Sequence, residues 1–267
     1  MPADWALPAG VRAGVTLRTG GVSLAPFDSL NLGDHVGDQI ECVRQNRNLL
    51  QSILPAEPRW LQQVHGIAVL DADQTSLDID PPKADAAITS KMGCVLAILS
   101  ADCLPILFCL GNGAVVGVAH AGWRGLCAGV LEATALAMMD RCQQLNLPHS
   151  MGDMSVWLGP GIGARHYEVG EEVKVAFEKK AQEMAYGLLP EAFTPVLNSP
   201  KKYQADLLAI TRQRLNLLGI YNISGGNRCT YSSPHQFFSH RRHTHTGVDQ
   251  GLAQQTGRFA SFIWKNS

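Results

Sequence analysis

The sequence predicts a single α/β domain spanning residues 1–267, a layered sandwich with mixed β-sheets. Three observations carry that expectation. Short continuous apolar runs at 94–99, 105–110 and 114–119 have the pattern of strands covered on both faces. Helical periodicities alternate with these runs with no break in composition. The Pro- and Gly-rich spots are too short to serve as linkers, and 46% hydrophobic residues suffice for a substantial core.

In chain order, residues 10–37 are rich in Gly, Ser and Asn and read as a short strand followed by loops, with Arg18-Thr19-Gly20-Gly21-Val22-Ser23 and Ser29-Leu30-Asn31-Leu32-Gly33 as their distinctive strings. A helix is expected over 38–53. Asp38 is placed to cap it, Glu41 stands three residues later, and Val43, Leu50 and Ile53 recur at helical spacing. Residues 60–70 read as a strand pair broken at His65-Gly66, and 85–88 as a short strand. The run 114–119 leads into His120, then a Gly-containing turn, then a long helix over 125–145. A strand at 156–158 closes on Gly159-Pro160-Gly161-Ile162-Gly163. Helices follow at 170–183 and 205–218, separated by a loop-like stretch at 186–202. After Phe237-Phe238-Ser239-His240-Arg241-Arg242 a polar stretch runs through Gln255, and a last strand covers 258–264.

Composition narrows the function classes. The net charge is -1, from 22 basic and 23 acidic residues. No Lys/Arg block is long enough for a nucleic-acid or anionic-membrane surface, so neither nucleic acid nor membrane is an expected partner. Seven cysteines, an odd number at irregular spacing, read mostly as buried thiols in a reducing compartment. The N-terminal residues have no signal-peptide pattern. Asp102 and Pro105 interrupt the longest apolar stretch. The expectation is a soluble cytoplasmic protein; oligomeric state is not legible.

Chemistry concentrates in three segments: Gln62-Gln63-Val64-His65-Gly66, Ser100-Ala101-Asp102-Cys103-Leu104-Pro105, and Ala119-His120-Ala121-Gly122-Trp123-Arg124-Gly125. Each ends an apolar run on an imidazole or a thiol. Ligands in α/β proteins gather at strand ends. Two neutral imidazoles and a thiolate suit zinc, with one coordination position left open. For any one of the three alone, an ordinary core residue is the simpler reading; together they favour a site at His65, Cys103 and His120.

Asp85 and Asp102 are the nearby carboxylates. Both are candidates to orient an imidazole through its other nitrogen, and a capping or turn role is the alternative for either. Arg124, at a turn into a helix, and the pair Arg241-Arg242 are candidates for holding phosphate or carboxylate; solvated charge or surface ion pairing is the bland alternative, as it is for Arg47. His235, His240, His243 and His245 lie in a polar stretch that reads as a solvated loop. With nine histidines in the whole chain, multicopper laccase chemistry is not expected.

These strings, with Gly159-Pro160, Ile162-Gly163, Tyr167-Glu168-Val169-Gly170, Phe238-Ser239 and Arg241-Arg242, resemble the YfiH-type family over nearly the whole chain. It is also called the laccase-domain, polyphenol oxidase or peptidoglycan editing factor family. The resemblance implies a layered α/β fold related to deamidating toxin domains, with metal ligands at His65, Cys103 and His120. It implies phosphorolysis of adenosine, inosine, guanosine or methylthioadenosine, with zinc as cofactor and copper as the alternative, and adenosine deamination as a further activity. Copper-dependent phenol oxidation and the editing of serine misincorporated into peptidoglycan precursors are the other activities it carries. Arg47, Arg124, Arg241 and Arg242 are then the candidates for phosphate or base. Three departures from the family pattern stand out: Gly161 where a Cys is common, His240 where a Tyr is common, and an extension over 243–255 before Thr256-Gly257-Arg258.

Overall fold

The computed structural model describes residues 1–75, 80–247 and 255–266. Its centre is a six-stranded mixed sheet, in the order β11 (Asn222–Gly225), β7 (Met154–Leu158), β5 (Leu104–Leu110), β6 (Val115–Ala121), β3 (Ala86–Thr89) and β2 (Val69–Asp71). The outer pairs β11–β7 and β2–β3 are parallel and the inner pairs antiparallel. A second sheet, β1 (Val11–Val15), β12 (Phe259–Lys265) and β4 (Leu96–Ser100), is antiparallel throughout. A third, small sheet joins β8 (Glu168–Gly170), β10 (Lys202–Ala205) and β9 (Phe193–Pro195).

Strand periodicity explains the layers. Along β5, Leu104, Ile106, Phe108 and Leu110 face one way and pack with Leu131, Ala135 and Met138 of α3 (Val130–Gln144), Phe177 of α4 (Glu171–Glu183) and Ile210 of α5 (Leu207–Leu217). The alternate residues Leu107 and Cys109 face the other way, onto Val15, Ile98 and Ile263 of the three-stranded sheet. The far side of that sheet packs Val95, Ala97 and Ala260 on Leu50 of α1 (Ile40–Gln51). The result is an α/β/β/α sandwich, the layered mixed-sheet architecture expected of the sequence. Both sheets are covered on both faces, which accounts for the unbroken apolar runs.

Local differences from the sequence reading have physical causes. Asp38 does not cap α1. Its carboxylate instead accepts hydrogen bonds from Ser23 Oγ (2.6 Å) and Asn31 Nδ2 (2.9 Å), tying down the preceding loops. Residues 60–70 form no strand pair. The Gln63 side chain stands in for a strand, donating to Leu99 O and accepting from Leu99 N, both at 2.8 Å. The long helix at 125–145 is two: α2 (Trp123–Ala128) and α3 meet at Gly129, whose φ of 115° ends one and starts the other. The polar histidine-rich stretch begins as a helix, α6 (His240–Gly247), rather than a loop. Residues 248–254 of the 243–255 extension lie outside those described. Among the described residues no helix is long and apolar enough to cross a membrane.

Candidate metal centre

The chain changes sheets at the turn between β4 and β5, where Ser100 to Cys103 passes from the three-stranded to the six-stranded sheet. Asp102 makes that corner with φ of 106°, a conformation rare outside glycine. Its carboxylate, almost fully buried, accepts from Thr230 Oγ1 at 2.6 Å and from the Arg241 N–H at 2.7 Å, and its carbonyl accepts from the Ile162 N–H at 2.8 Å. The turn is further closed by a bond from Ser100 Oγ to Cys103 O. Pinned this way, Cys103 points into the open end of the inter-sheet layer.

His120 is the second-last residue of β6. Its neighbours Ala119 and Ala121 face the helical layer, so the imidazole emerges on the opposite side, towards the three-stranded sheet. Asp85 lies across from it at the start of β3, with its carbonyl accepting the His120 N–H at 2.7 Å. The Asp85 carboxylate is fully buried and saturated. It accepts from His120 Nδ1 (2.9 Å), His65 N (2.9 Å), Gly66 N (2.7 Å) and Val64 N (3.1 Å). One carboxylate thus shapes the His65 loop, where His65 itself has φ of 61°, and fixes the second imidazole. Burial alone would raise the Asp85 pKa. The bonds from His120 and from the Gly66 and Val64 N–H groups hold it below the ordinary value.

The three predicted ligands therefore converge. The ligand-capable atoms of His65, Cys103 and His120 all lie within 4.8 Å of one another, and Cys103 Sγ is 3.8 Å from His65 Nε2. Tetrahedral zinc with these donors needs separations of roughly 3.3–3.8 Å, a contraction that side-chain rotation supplies. Gly122 completes the cradle: a Cβ there would stand 2.7 Å from His65 Cδ2 and 2.9 Å from Cys103 Sγ. With Nδ1 committed to Asp85, His120 has Nε2 left as its donor atom. The set fits a divalent transition metal with an exposed side at His65. Without metal the thiol and imidazole polarise each other. Burial pushes the Cys103 thiol up, but the His120 charge and hydrogen bonds from both imidazoles bring it down to about 6. Burial disfavours the His120 cation, and the Cys103 charge and the Asp85 bond outweigh this, raising it to about 9.

The other candidates divide. Asp85, not Asp102, holds the imidazole; Asp102 points away from both histidines and anchors the first turn of α6. Arg124 is exposed and lies over the Trp123 ring at 4.4 Å. Arg241 donates to Glu168 O at 2.8 Å and lies 5.3 Å from the Tyr167 ring. Arg242 spends its guanidinium on the carbonyls of Thr230 (the shortest of the three contacts is Nη1 to this oxygen), Tyr231 and Phe237, which makes it a brace for the loop before α6. Arg47 is paired with Asp34 at 3.0 Å and stacked on Trp60 at 4.5 Å. It borders a cleft of about 630 Å³ with Gln62, Gln63 and Val64, next to the His65 loop. Of the histidine cluster, His245 meets Tyr231 edge-on at 5.7 Å, and among the described residues only His65, Cys103 and His120 form a metal-capable group.

Two residues beside the centre went unremarked as site residues at the sequence level. The Tyr167 phenol feels the charges of Cys103, Arg241, Asp102 and Arg124, and burial followed by the Cys103 charge keeps it protonated well above the ordinary range. Arg258 precedes β12, whose Phe259 pairs with Ser100, so it flanks the Asp102–Cys103 turn. The only available signal was membership in the strings Tyr167-Glu168-Val169-Gly170 and Thr256-Gly257-Arg258.

Fold and site together define the class: a layered mixed-sheet protein with a three-ligand His-Cys-His centre at the end of its inter-sheet core. Residues 12–266 match the family described as multi-copper polyphenol oxidoreductase laccase. A purine nucleoside phosphorylase of Pseudomonas aeruginosa is 44% identical over 98% of this chain and 96% of its own length. The purine nucleoside phosphorylase YfiH of Escherichia coli is also 44% identical, over 98% of this chain and 96% of its own. The crystal structure of a Neisseria meningitidis protein superposes with a TM-score of 0.84 at 39% identity, covering 100% of this chain and 99% of that one. YlmD of Geobacillus stearothermophilus gives 0.78 at 32% identity, over 97% and 93%. The chain belongs to this YfiH-type, laccase-domain family.

Proposed function

We propose that the protein is a zinc-dependent purine nucleoside phosphorylase that also deaminates adenosine. The observation that carries this reading is the convergence of His65, Cys103 and His120 around an accessible position, braced by the buried Asp85. The relatives bearing the name purine nucleoside phosphorylase at 44% identity support it. Zinc held by these three side chains supplies Lewis-acid polarisation to the substrate. The protein's own groups do the rest. Asp85 keeps the His120 proton on Nδ1. The inter-sheet layer excludes water from the inner side of the centre. Of the four arginines singled out in the sequence, Arg124 and Arg241 have no carboxylate partner among the described residues and are free to hold phosphate at the outer side.

In phosphorolysis a phosphate oxygen bonds to ribose C1′, the C1′–N9 bond breaks, and the electron pair leaves with the purine. We assign the Tyr167 hydroxyl, kept protonated by burial and the Cys103 charge, as the donor to that charge. In deamination a water oxygen bonds to C6, the C6–N6 bond breaks, and the amino group leaves as ammonia with a proton taken from the water, giving inosine. Inosine, guanosine and methylthioadenosine are the further substrates to test, and a reducing, cytoplasmic setting accords with cysteines that are all free. With inosine and phosphate the protein should release hypoxanthine and ribose 1-phosphate, and Cys103→Ala should not; equal rates in both would end the assignment.

One observation favours a second reading. The mutual polarisation of Cys103 and His120 is also that of a nucleophile and its base, as a cysteine amidase acting on peptidoglycan precursors requires. Amide hydrolysis by the metal-free protein, blocked by a thiol alkylating agent, identifies that activity. Zinc or copper at one equivalent with nucleoside turnover excludes it, and oxygen uptake with phenols is the mark of copper oxidase chemistry.

A further inference from the structure

Arg258 is a mostly buried arginine with half of its guanidinium unused. Its Nη1 donates to Thr256 O (2.7 Å) and Gly257 O (3.2 Å). Among the described residues Nε and Nη2 have no hydrogen-bond partner and no carboxylate within ion-pairing distance. Neither nitrogen is sealed from solvent. An arginine brought inward normally has its guanidinium taken up by a carboxylate or by carbonyls, as Arg242 does. Arg258 instead presents an open two-nitrogen edge.

The edge is held in place by a motif that the metal centre does not use. In Ser29-Leu30-Asn31-Leu32-Gly33, the fully buried Asn31 accepts from Arg258 N at 2.8 Å and from Gly33 N at 2.9 Å through one oxygen. Leu32 N donates to Arg258 O at 3.0 Å. Gly33 is required because a Cβ there would lie 2.8 Å from Arg258 Cγ. The loop is in turn bonded to Asp38 and Asn46. Several buried side chains thus fix one arginine stem at the start of β12, opposite the Asp102–Cys103 turn. The negative groups that act on its guanidinium are Cys103 and then Asp102, and Arg258 in turn acts on His240 at the start of α6. Both Asp102 oxygens are already bonded, to Thr230 and to the Arg241 N–H, so that carboxylate does not fill the fork.

We propose that Arg258 is an anion-binding residue of the active centre, its free Nε/Nη2 edge set by the Asn31–Gly33 loop to receive a tetrahedral oxyanion beside Cys103. On the phosphorolysis reading, on which the assignment of the ligand rests, that anion is inorganic phosphate. This deepens the functional proposal by naming a phosphate contact distinct from Arg124 and Arg241, and it gives the Asn31–Gly33 loop a purpose.

The test uses the full-length, zinc-loaded protein and inorganic phosphate as probe, read by the phosphate-induced rise in Tm and by separate KM values for phosphate and inosine. Loss of two charge-assisted hydrogen bonds in Arg258→Gln should raise the phosphate KM about tenfold or more. The inosine KM should stay within about twofold, with metal content unchanged and the phosphate-induced Tm shift lost. Gly33→Ala keeps the guanidinium but displaces its stem, and should give the same pattern at smaller amplitude; it decides the matter if Arg258→Gln fails to fold. An unchanged phosphate KM and Tm shift in either folded variant, or an equal rise of both KM values with loss of metal, would overturn the proposal and leave Arg258 a structural prop. If no nucleoside is phosphorolysed while phosphate still raises the Tm of the wild type but not of Arg258→Gln, the anion site stands and the activity reading falls.

Discussion

Replacing Asp85 by asparagine changes one atom and reverses one hydrogen bond. Each carboxylate oxygen accepts from two donors: Oδ1 from His65 N and His120 Nδ1, Oδ2 from Val64 N and Gly66 N. An amide nitrogen in either place faces two N–H groups. The only donor able to yield is His120, by moving its ring proton to Nε2, so the amide should settle with its nitrogen towards Oδ1. Nε2 is the atom that must carry the lone pair for metal. Loss of such an orienting partner costs ten- to a hundredfold in metal affinity, about 1.4–2.7 kcal/mol. The His65 N–H, left without its acceptor, costs a further ~1–3 kcal/mol of stability. Competition with a chromophoric chelator gives the affinity, and urea denaturation of the metal-free protein gives the stability. Asp85→Ala, which orphans all four donors, should lose more stability than Asp85→Asn. If Asp85→Asn held zinc against the chelator as well as wild type, the role given to the Asp85–His120 bond would be wrong.

Other outcomes follow from the same geometry. Gly122→Ala removes no ligand, yet its Cβ would intrude on His65 and Cys103, so metal stoichiometry should fall towards that of Cys103→Ala; full zinc content in the purified variant would refute this. In the metal-free protein the alkylation rate of Cys103 by iodoacetamide should climb through pH about 6, where the thiolate forms, and a midpoint near the ordinary thiol value of 9.0 would contradict the His120 pairing. Arg242→Met strips three carbonyls of their donor and should destabilise by about 3 kcal/mol in a thermal melt while leaving bound metal intact. The Asp34 carboxyl is held down to about 2 by the His35 hydrogen bond and, against the opposing effect of burial, by Arg47. A depressed acid stabilises the fold above its ordinary pKa and loses that contribution as pH falls towards 2, so acid unfolding should be steeper in wild type than in Asp34→Asn.

Cys103 and His120 were legible because an apolar run gives way to a turn at each, and β4 ends, β5 begins and β6 ends within a few residues of them, whereas His65 stands in a loop shaped by the Asp85 carboxylate rather than at a strand end. What strand alternation could not supply was the choice between Asp85 and Asp102. Alternation places Asp102 opposite Cys103 only if both sit on a strand, and the left-handed corner at Asp102 takes the pair off it. Apolar periodicity ran unbroken through Gly129, so one helix was expected where a positive φ makes two. The missing strand pair at 60–70 has the opposite origin: the Gln63 amide satisfies Leu99 as a backbone would, a substitution that hydropathy cannot register. Arginines were hardest to read. Arg47, Arg242 and Arg258 look alike in sequence, and only their partners tell a paired charge from a brace and from an open fork.

The position of β12 has a bearing on biosynthesis. This strand, over residues 259–265, lies in the middle of its sheet, so β1 and β4 meet no neighbour there until the segment most remote from them along the chain has been translated. A ribosome that has delivered every residue through α5 has exposed all three metal-binding side chains but not the filling that rigidifies the Cys103 corner. Metal capture is therefore expected to follow synthesis of β12 rather than precede it, and chains arrested short of β12 should be poor in metal and readily cleared by proteases.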